Sequence, residues 1–304
     1  MAAPEVVFAI DDYSAAMPQG ISDDDHELRL ALGRRGIAVR PLVWGHATGS
    51  GAVRPGTVVV IRSTWDYVER PERFLAWLDH LDRVGAVVYN PTATIRWNIH
   101  KRYLTDLGAR GVRVVPTRLV ARGSPATLAE LTAATGWDDV VVKPAIGATA
   151  RLTIHQGREG TAATAAHLAR VLDAEDVLVQ PFVPSITDEG ETSVVAVDGE
   201  PVHAVRKRAK AGDWRVQYDF GGTVERVDLD DELDATARSV LGTLDEAPLY
   251  ARVDVARLDG HLHLMELELI EPNLFLDLIP ASAELLADAL VARLTVPPAD
   301  RAAG

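Results

Sequence analysis

Apolar and polar positions follow different rhythms along this chain, and the changes of rhythm divide it. Through residue 92, short apolar runs at Glu5–Ile10 (EVVFAI), Ile37–Val43, Thr57–Ile61 and Val87–Tyr89 alternate with two segments of helical spacing. These are Asp23–Arg35, with Gly36 near its C-cap, and Pro71–Val84, which opens on a favourable proline. Strands alternating with helices predict a small open α/β sheet. Ligands of such sheets sit at the carboxyl ends of strands, where Asp11-Asp12-Tyr13 and Arg62-Ser63-Thr64-Trp65-Asp66-Tyr67 stand.

The next stretch mixes the two periods. Ile95–Leu107 reads as helix, Val112–Leu119 as extended chain and Ser124–Thr135 as helix. Asp139–Lys143 is a strand closed by Pro144, followed by the small-residue loop Gly147–Thr149, a strand at Arg151–Ile154, a helix at Thr161–Val171 and an apolar strand at Val177–Pro181. Beyond Glu191 the pattern is that of hairpins. Thr192–Val197 turns at Asp198-Gly199 into Pro201–Arg208, a polar loop fills 209–223, and a second hairpin spans Tyr250–Glu271. A helix over Ser282–Leu294 follows, and the tail after Val296 is expected to fray. The chain thus predicts three units: an N-terminal α/β domain at 1–92, a central subdomain at 93–184 and a C-terminal lobe at 185–304.

The second hairpin carries the most chemistry. Tyr250–Arg257 alternates, so Arg252 and Asp254 share a strand face. Reflecting the chain about the Asp259-Gly260 turn sets Asp254 opposite Met265, with Glu266 and Glu268 nearby on the return strand. Three carboxylates beside one arginine are costly to assemble without a cation, and hard oxygen donors suit Mg²⁺ shared with phosphates. A solvated acidic sheet face would give the same alternation.

Composition narrows the partners. The chain has 304 residues, 47% of them hydrophobic, enough for a sizeable core in two or three lobes. A net charge of −13 argues against a nonspecific nucleic-acid binder or a protein of anionic membrane surfaces. The absence of cysteine removes disulfides, thiolate catalysis and Cys-ligated zinc. No run nears the ~18 apolar residues of a membrane span, and the first residues lack a signal-peptide pattern, so a soluble cytoplasmic protein is expected. No G-x-S-x-G, H-E-x-x-H or Walker A pattern is present.

Several features converge on a nucleotide. Lys143 ends an apolar strand before a small-residue loop, and Lys101 precedes it by one subdomain. Val177–Val183 offers an apolar slot edged by backbone amides, as an adenine ring needs, and Glu191 is placed for ribose hydroxyls. The lysines would neutralise phosphates that the hairpin carboxylates reach through magnesium. Five cations, Arg206, Lys207, Arg208, Lys210 and Arg215, crowd the segment Arg206–Gly222 of an otherwise acidic chain. A solvated basic loop is one reading of them and an anion-facing loop the other.

The order of Lys101, VVVKP with Lys143, VQPFV ending at Val183, GETSVVAVDGEPV at Gly190–Val202, ARVDV with Arg252 and Asp254, and MELEL with Glu266 and Glu268 resembles the ATP-grasp superfamily, nearest its glutathione-synthetase and D-alanine–D-alanine-ligase branch. The resemblance covers residues from about 95 to 280. It implies an ATP-grasp fold: α/β with α+β lobes, an N-terminal open α/β sheet, a central lid subdomain and a C-terminal antiparallel-sheet lobe. It implies ATP and Mg²⁺ as cofactors. Lys101 and Lys143 would meet phosphates, Gln180, Pro181, Phe182 and Val183 adenine, and Glu191 ribose. Asp254, Glu266 and Glu268 would hold the metal. Glu268 stands where this branch usually has asparagine, which adds a charge, and Glu271 with Asn273 forms a rival pair in another register. Arg252 would stabilise the oxyanion of an attacked acyl phosphate, with Lys207 and Arg215 as further catalytic cations.

IRSTWDY at Ile61–Tyr67, WNIHK at Trp97–Lys101 and ELELIEP at Glu266–Pro272 resemble a smaller ATP-grasp subgroup that includes the cyclo-ligase of D-cycloserine biosynthesis. Asp11, Tyr13, Arg62, Asp66, Arg206 and Glu271 would then face a small amino-acid substrate, although Trp65 and Tyr67 read equally well as core aromatics. Three activities stay open: ring closure by an internal nitrogen, joining of two separate molecules, and nucleotide binding without catalysis. Relatives of this kind are often dimers.

Overall fold

The computed structural model describes residues 4–46, 51–217 and 220–295. Four parallel strands, β1 (Glu5–Ile10), β2 (Ala38–Val43), β3 (Val58–Ile61) and β4 (Val87–Tyr89), form the first sheet in the order β2-β1-β3-β4. Side-chain alternation divides β1 between two cores. Val6, Phe8 and Ile10 pack with Leu28 and Leu32 of helix Asp23–Arg34 and with Leu286 and Leu290 of the C-terminal helix Pro280–Thr295. Val7 and Ala9 pack on the opposite side with Phe74, Trp77 and Leu81 of helix Pro71–Val84. Layers on both faces explain why these strands read as continuous apolar runs.

The second sheet has β5 (Arg118–Val120), β6 (Val140–Pro144), β7 (Ile154–His155) and β8 (Val177–Pro181) in the order β5-β8-β6-β7, all antiparallel pairs. Four expectations change here. The helix expected over Ile95–Leu107 is two, Thr92–Asn98 and Tyr103–Ala109. The break is tied in place, because the Asn98 side chain donates to Leu267 O (2.8 Å) and accepts from Leu269 N (2.9 Å). The extended segment Val112–Leu119 holds only a bridge at Val114 and strand β5. Helix Ser124–Thr135 starts at Leu128, where Thr127 and Glu130 form a capping box. The strand expected at Arg151–Ile154 begins at Ile154, after positive φ values at Thr149, Ala150 and Leu152.

The third sheet contains β9 (Glu191–Val197), β10 (Glu200–Arg208), β11 (Thr223–Val227), β12 (Tyr250–Leu258) and β13 (His261–Glu268), ordered β11-β10-β9-β12-β13. Arg206, Lys207 and Arg208, which fell both at the end of the expected strand Pro201–Arg208 and at the start of the basic loop Arg206–Gly222, lie on β10. Strand β11 and helix Asp231–Leu241, capped by Asp230, were not anticipated. Within the basic loop, Tyr218 and Asp219 lie outside the described residues, as does the tail after Val296. No helix among the described residues is long and apolar enough to cross a membrane.

Polar bonds join the first and third sheets. The Tyr250 hydroxyl donates toward Ile61 O, Tyr89 O (3.2 Å) and Ile270 O (3.0 Å). The Asn90 amide donates to Tyr250 O (2.9 Å) and Leu269 O (2.8 Å) and accepts from Leu249 N (2.7 Å).

His203 of β10 is buried against the C-terminal helix, its Nδ1 2.7 Å from Ser282 Oγ. Burial pulls its imidazole down from 6.5 to about 4. The unfolded chain therefore takes up a proton between these values that the folded chain refuses, and stability falls as pH drops from 6.5 toward 4, by at most ~3 kcal/mol at ~1.36 per unit. Denaturant unfolding across this range should show that loss, and His203→Gln should flatten it.

Candidate active site

The site is one face of the third sheet, built by strand register. On β12, Arg252 and Asp254 are two residues apart and point the same way. The β12–β13 pairing contains a bulge beyond Asp254, with Met265 as the extra residue. This corrects the simple reflection about Asp259-Gly260. Asp254 faces Glu266, and Arg252 faces Glu268. On the other side of β12, Asp254 pairs in register with Ser193 of β9, and Glu191 pairs with Lys207 of β10.

The side chains form a connected array. Arg252 grips both oxygens of Asp254 (2.9 and 3.0 Å), contacts Glu268, and donates to Asn273 O (3.2 Å). Asp254 also accepts from Ser193 Oγ (2.6 Å) and Lys207 Nζ (3.0 Å), and Lys207 is ion-paired with Glu191. Lys101 sits where the helix breaks, donates to Gly147 O (2.8 Å) and pairs with Glu266. Lys143 lies on β6, where the charges acting on it are Glu266, Lys101 and Glu191. Its ammonium is drawn below the usual value by burial, partly offset by Glu266.

Five carboxyl groups here, Glu191, Asp254, Glu266, Glu268 and Glu271, face four cations, Lys101, Lys143, Lys207 and Arg252. The excess of acid shows in the ionisation. Burial acts against the charge of Asp254, yet Arg252 and Lys207 outweigh it and hold the carboxyl well below its usual range. Burial likewise opposes Glu266, and Lys101 and Lys143 overcome it. Glu268 is pushed up to about 7, because burial and the charges of Asp254 and Glu266 exceed the pull of Arg252. Glu271 lies well above the usual carboxylate range through burial and the neighbouring Glu268.

This donor set suits a hard cation. All donors are carboxylate oxygens, and burial, with the charges of neighbouring carboxylates, holds two of the carboxyls toward the neutral form. No three acidic or histidine side chains among the described residues already converge as a metal cage. Lysine and arginine stand on these oxygens instead.

Near the end of β8, Gln180 is buried and donates to Thr117 Oγ1 (2.8 Å). Phe182 stacks on His155 with centroids 3.8 Å apart, and Trp214 of the basic loop meets both rings edge-on. Val183 packs with Val216 and Met265 in one apolar cluster, with Pro181 closing β8. Arg215 is tied to Asp213 (2.8 and 3.1 Å) and lies over Phe220.

The substrate-side residues separate. Glu271 borders the same small cavity as Lys101, Tyr103, Gly147 and Glu266. Asp11 is buried and caps the turn at Ser14 (2.7 Å), while Tyr13 is 69% exposed. Asp66 accepts from Trp44 Nε1 (2.6 Å) and pairs with Arg70. Arg206 lies on β10, half-buried. Arg62 is 2% exposed and paired with Asp24 (2.8 Å) and Asp25 (2.7 Å), so the structure gives it core partners in place of a cavity wall. Sequence reasoning missed Ser193, which the register to Asp254 would have marked, and Tyr103 and Asn98, which carried no signal apart from their place beside Lys101.

Residues 6–90 match the family described as D-cycloserine synthetase DcsG, N-terminal domain, and residues 109–275 match the prokaryotic glutathione synthetase ATP-grasp domain. The cycloserine biosynthesis protein DcsG of Streptomyces lavendulae is 35% identical over 248 residues, 78% of this chain and 83% of that protein. A glutathione synthetase of Prochlorococcus marinus (strain MIT 9313) is 32% identical over 226 residues, 72% of this chain and 68% of that one. The crystal structure of D-cycloserine synthetase DcsG superposes with a TM-score of 0.83 at 32% identity, covering 96% of this chain and 100% of its own. A D-alanine–D-alanine ligase from Bacillus anthracis shares the fold at a TM-score of 0.68 and 15% identity, covering 96% and 97%.

Lys207→Met should leave Glu191 and Asp254 buried without their shared cation and cost about 3–5 kcal/mol in denaturant unfolding. Adding Glu191→Gln should recover part of that loss. Simple addition of the two losses would show that the three charges act independently.

Proposed function

This chain belongs to the ATP-grasp carbon–nitrogen ligases, and on that premise we propose that it closes the isoxazolidinone ring of D-cycloserine from O-ureido-D-serine, converting ATP to ADP and phosphate. The observation that carries the reading is the array at the third sheet, in which Arg252 and Lys207 of that sheet, with Lys101 from the helix break and Lys143 from β6, lie among carboxylates, in a chain whose two matched regions join a cycloserine-type N-terminal domain to an ATP-grasp domain.

In this account Lys101 and Lys143 lie against the phosphates, and Gln180–Val183 receive adenine. Glu191, paired with Lys207, would exchange that partner for ribose hydroxyls. Asp254, Glu266 and Glu268 would hold Mg²⁺, whose charge would offset that of the phosphate oxygens. The substrate carboxylate oxygen attacks the γ-phosphorus, and ADP leaves. Arg252 stabilises charge on the carboxyl oxygens as the acyl phosphate forms and again when it is attacked. The ureido N–O nitrogen then bonds to the acyl carbon, loses its proton, and expels phosphate. With one water, the carbamoyl group departs as CO₂ and ammonia. Glu271, Tyr13, Asp11 and Asp66 would face the amino-acid side. Arg215 and Arg206 close from the β10 side and limit hydrolysis of the acyl phosphate.

Joining of two separate molecules, the activity named for the glutathione synthetases, is the competing outcome of the same chemistry. A homodimer and a cytoplasmic location complete the proposal, the first checked by sedimentation.

Lys143→Ala should weaken ATP binding at least tenfold by calorimetry, and unchanged affinity would remove it from the phosphate site. Glu266→Gln should abolish turnover in a folded protein. Retained activity would favour Glu271 and Asn273 as the metal pair. Product masses should show a cyclised product from O-ureido-D-serine and none from its L-isomer. A condensation product with a second amine would indicate the intermolecular ligase.

A further inference from the structure

We propose that Asp24, in the first turn of helix Asp23–Arg34, is a positioning residue for Arg252 and acts through the backbone of residues 272–276. Both Asp24 oxygens are engaged. Oδ1 accepts from Leu276 N (2.6 Å), and Oδ2 accepts from Leu274 N (3.0 Å) and Arg62 Nη2 (2.8 Å). The same Arg62 nitrogen reaches Pro272 O (3.2 Å), and Arg62 Nε is held by Asp25 (2.7 Å). Ser63 closes the network onto Asp25. Asp24, Asp25 and Arg62 are 4%, 0% and 2% exposed, so these bonds do not compete with solvent.

The anchoring alternates along the segment. Residues 272, 274 and 276 are fixed by their backbones to the N-terminal unit. The residues between them serve Arg252: Asn273 O accepts from its Nη1 (3.2 Å), and the Phe275 ring lies 5.8 Å from its guanidinium carbon. Trp65 Nε1 adds a bond to Glu271 O (3.2 Å) just upstream. One carboxylate on an N-terminal helix thereby sets the height of the loop against which the arginine rests. Burial raises the Asp24 carboxyl to about 6, with Arg62 opposing, so the ion is the form present at neutral pH. An amide in its place would turn an N–H toward one of the two backbone N–H groups.

The inference rests on the ligase reading for the role of Arg252 in turnover. Asp24→Asn in the full chain should lower kcat about tenfold to a hundredfold, while KM for ATP stays within about threefold. In an Arg252→Lys background the same substitution should add little, because the group it positions is gone. Equal losses in both backgrounds, or an unchanged kcat, would overturn the proposal. If Asp24→Asn does not fold, Arg62→Lys, which keeps the charge and gives up the fork to Pro272, should reproduce the kcat-selective loss in smaller measure. A wild-type protein silent toward substrate would count against the ligase reading alone. The Arg252 Nε–H resonance then decides: a changed shift or exchange rate in Asp24→Asn supports positioning, and an identical one refutes it.

Discussion

The Arg252–Asp254 pair is the constraint around which the C-terminal lobe is arranged. Two residues on one strand face are fixed by geometry, and both are nearly dry. Buried charges are tolerable only when compensated and fully hydrogen-bonded. That requirement recruits Ser193 and Lys207 to Asp254, Glu268 and the Asn273 carbonyl to Arg252, and Glu191 to Lys207. The recruits come from three other strands of the same sheet, β9, β10 and β13, and from the loop after β13. The compensation is nevertheless incomplete, since Glu268 and Glu271 are pushed toward their neutral forms. A face that holds more carboxyls than its cations can serve is matched to a ligand that brings further positive charge, and its lysines are matched to one that brings phosphate.

Such an array needs a rigid frame, and the frame spans units that are distant in sequence. Tyr250 ties three carbonyls from β3, β4 and the segment after β13, and Asn90 stitches β12 to that same segment. The C-terminal helix returns to pack on the N-terminal sheet, with Arg35 bound to Glu284 and Asp288. The Asp24–Arg62 network belongs to this frame. The carboxylate array and the N-terminal unit thus share one set of bonds.

Much of this was legible in local patterning. The alternation of apolar runs and helical segments gave the first sheet, and Asp259-Gly260 located the hairpin whose strands carry Arg252, Asp254, Glu266 and Glu268. Register was not legible to the last residue. The bulge at Met265 is a packing outcome between neighbouring strands, and no turn residue announces it. Arg206–Arg208 were counted both as strand end and as basic loop because charge resembles exposure, whereas on β10 alternate side chains point to opposite faces and Lys207 is buried among acids. Arg62 was read as a ligand contact because a cation at a strand end is a poor core residue. Its partners, Asp24 and Asp25, lie 38 and 37 positions away and no spacing rule relates them.

The central claim is that a substrate carboxylate on this face is activated as an acyl phosphate and captured by a nitrogen of the same molecule. It is tested most directly with O-ureido-D-serine carrying ¹⁸O in both carboxylate oxygens, by mass spectrometry of the phosphate and organic products. The account predicts one ¹⁸O in each phosphate released and one retained in the ring carbonyl of the cyclised product. Unlabelled phosphate, or labelled phosphate without ring closure, would contradict it.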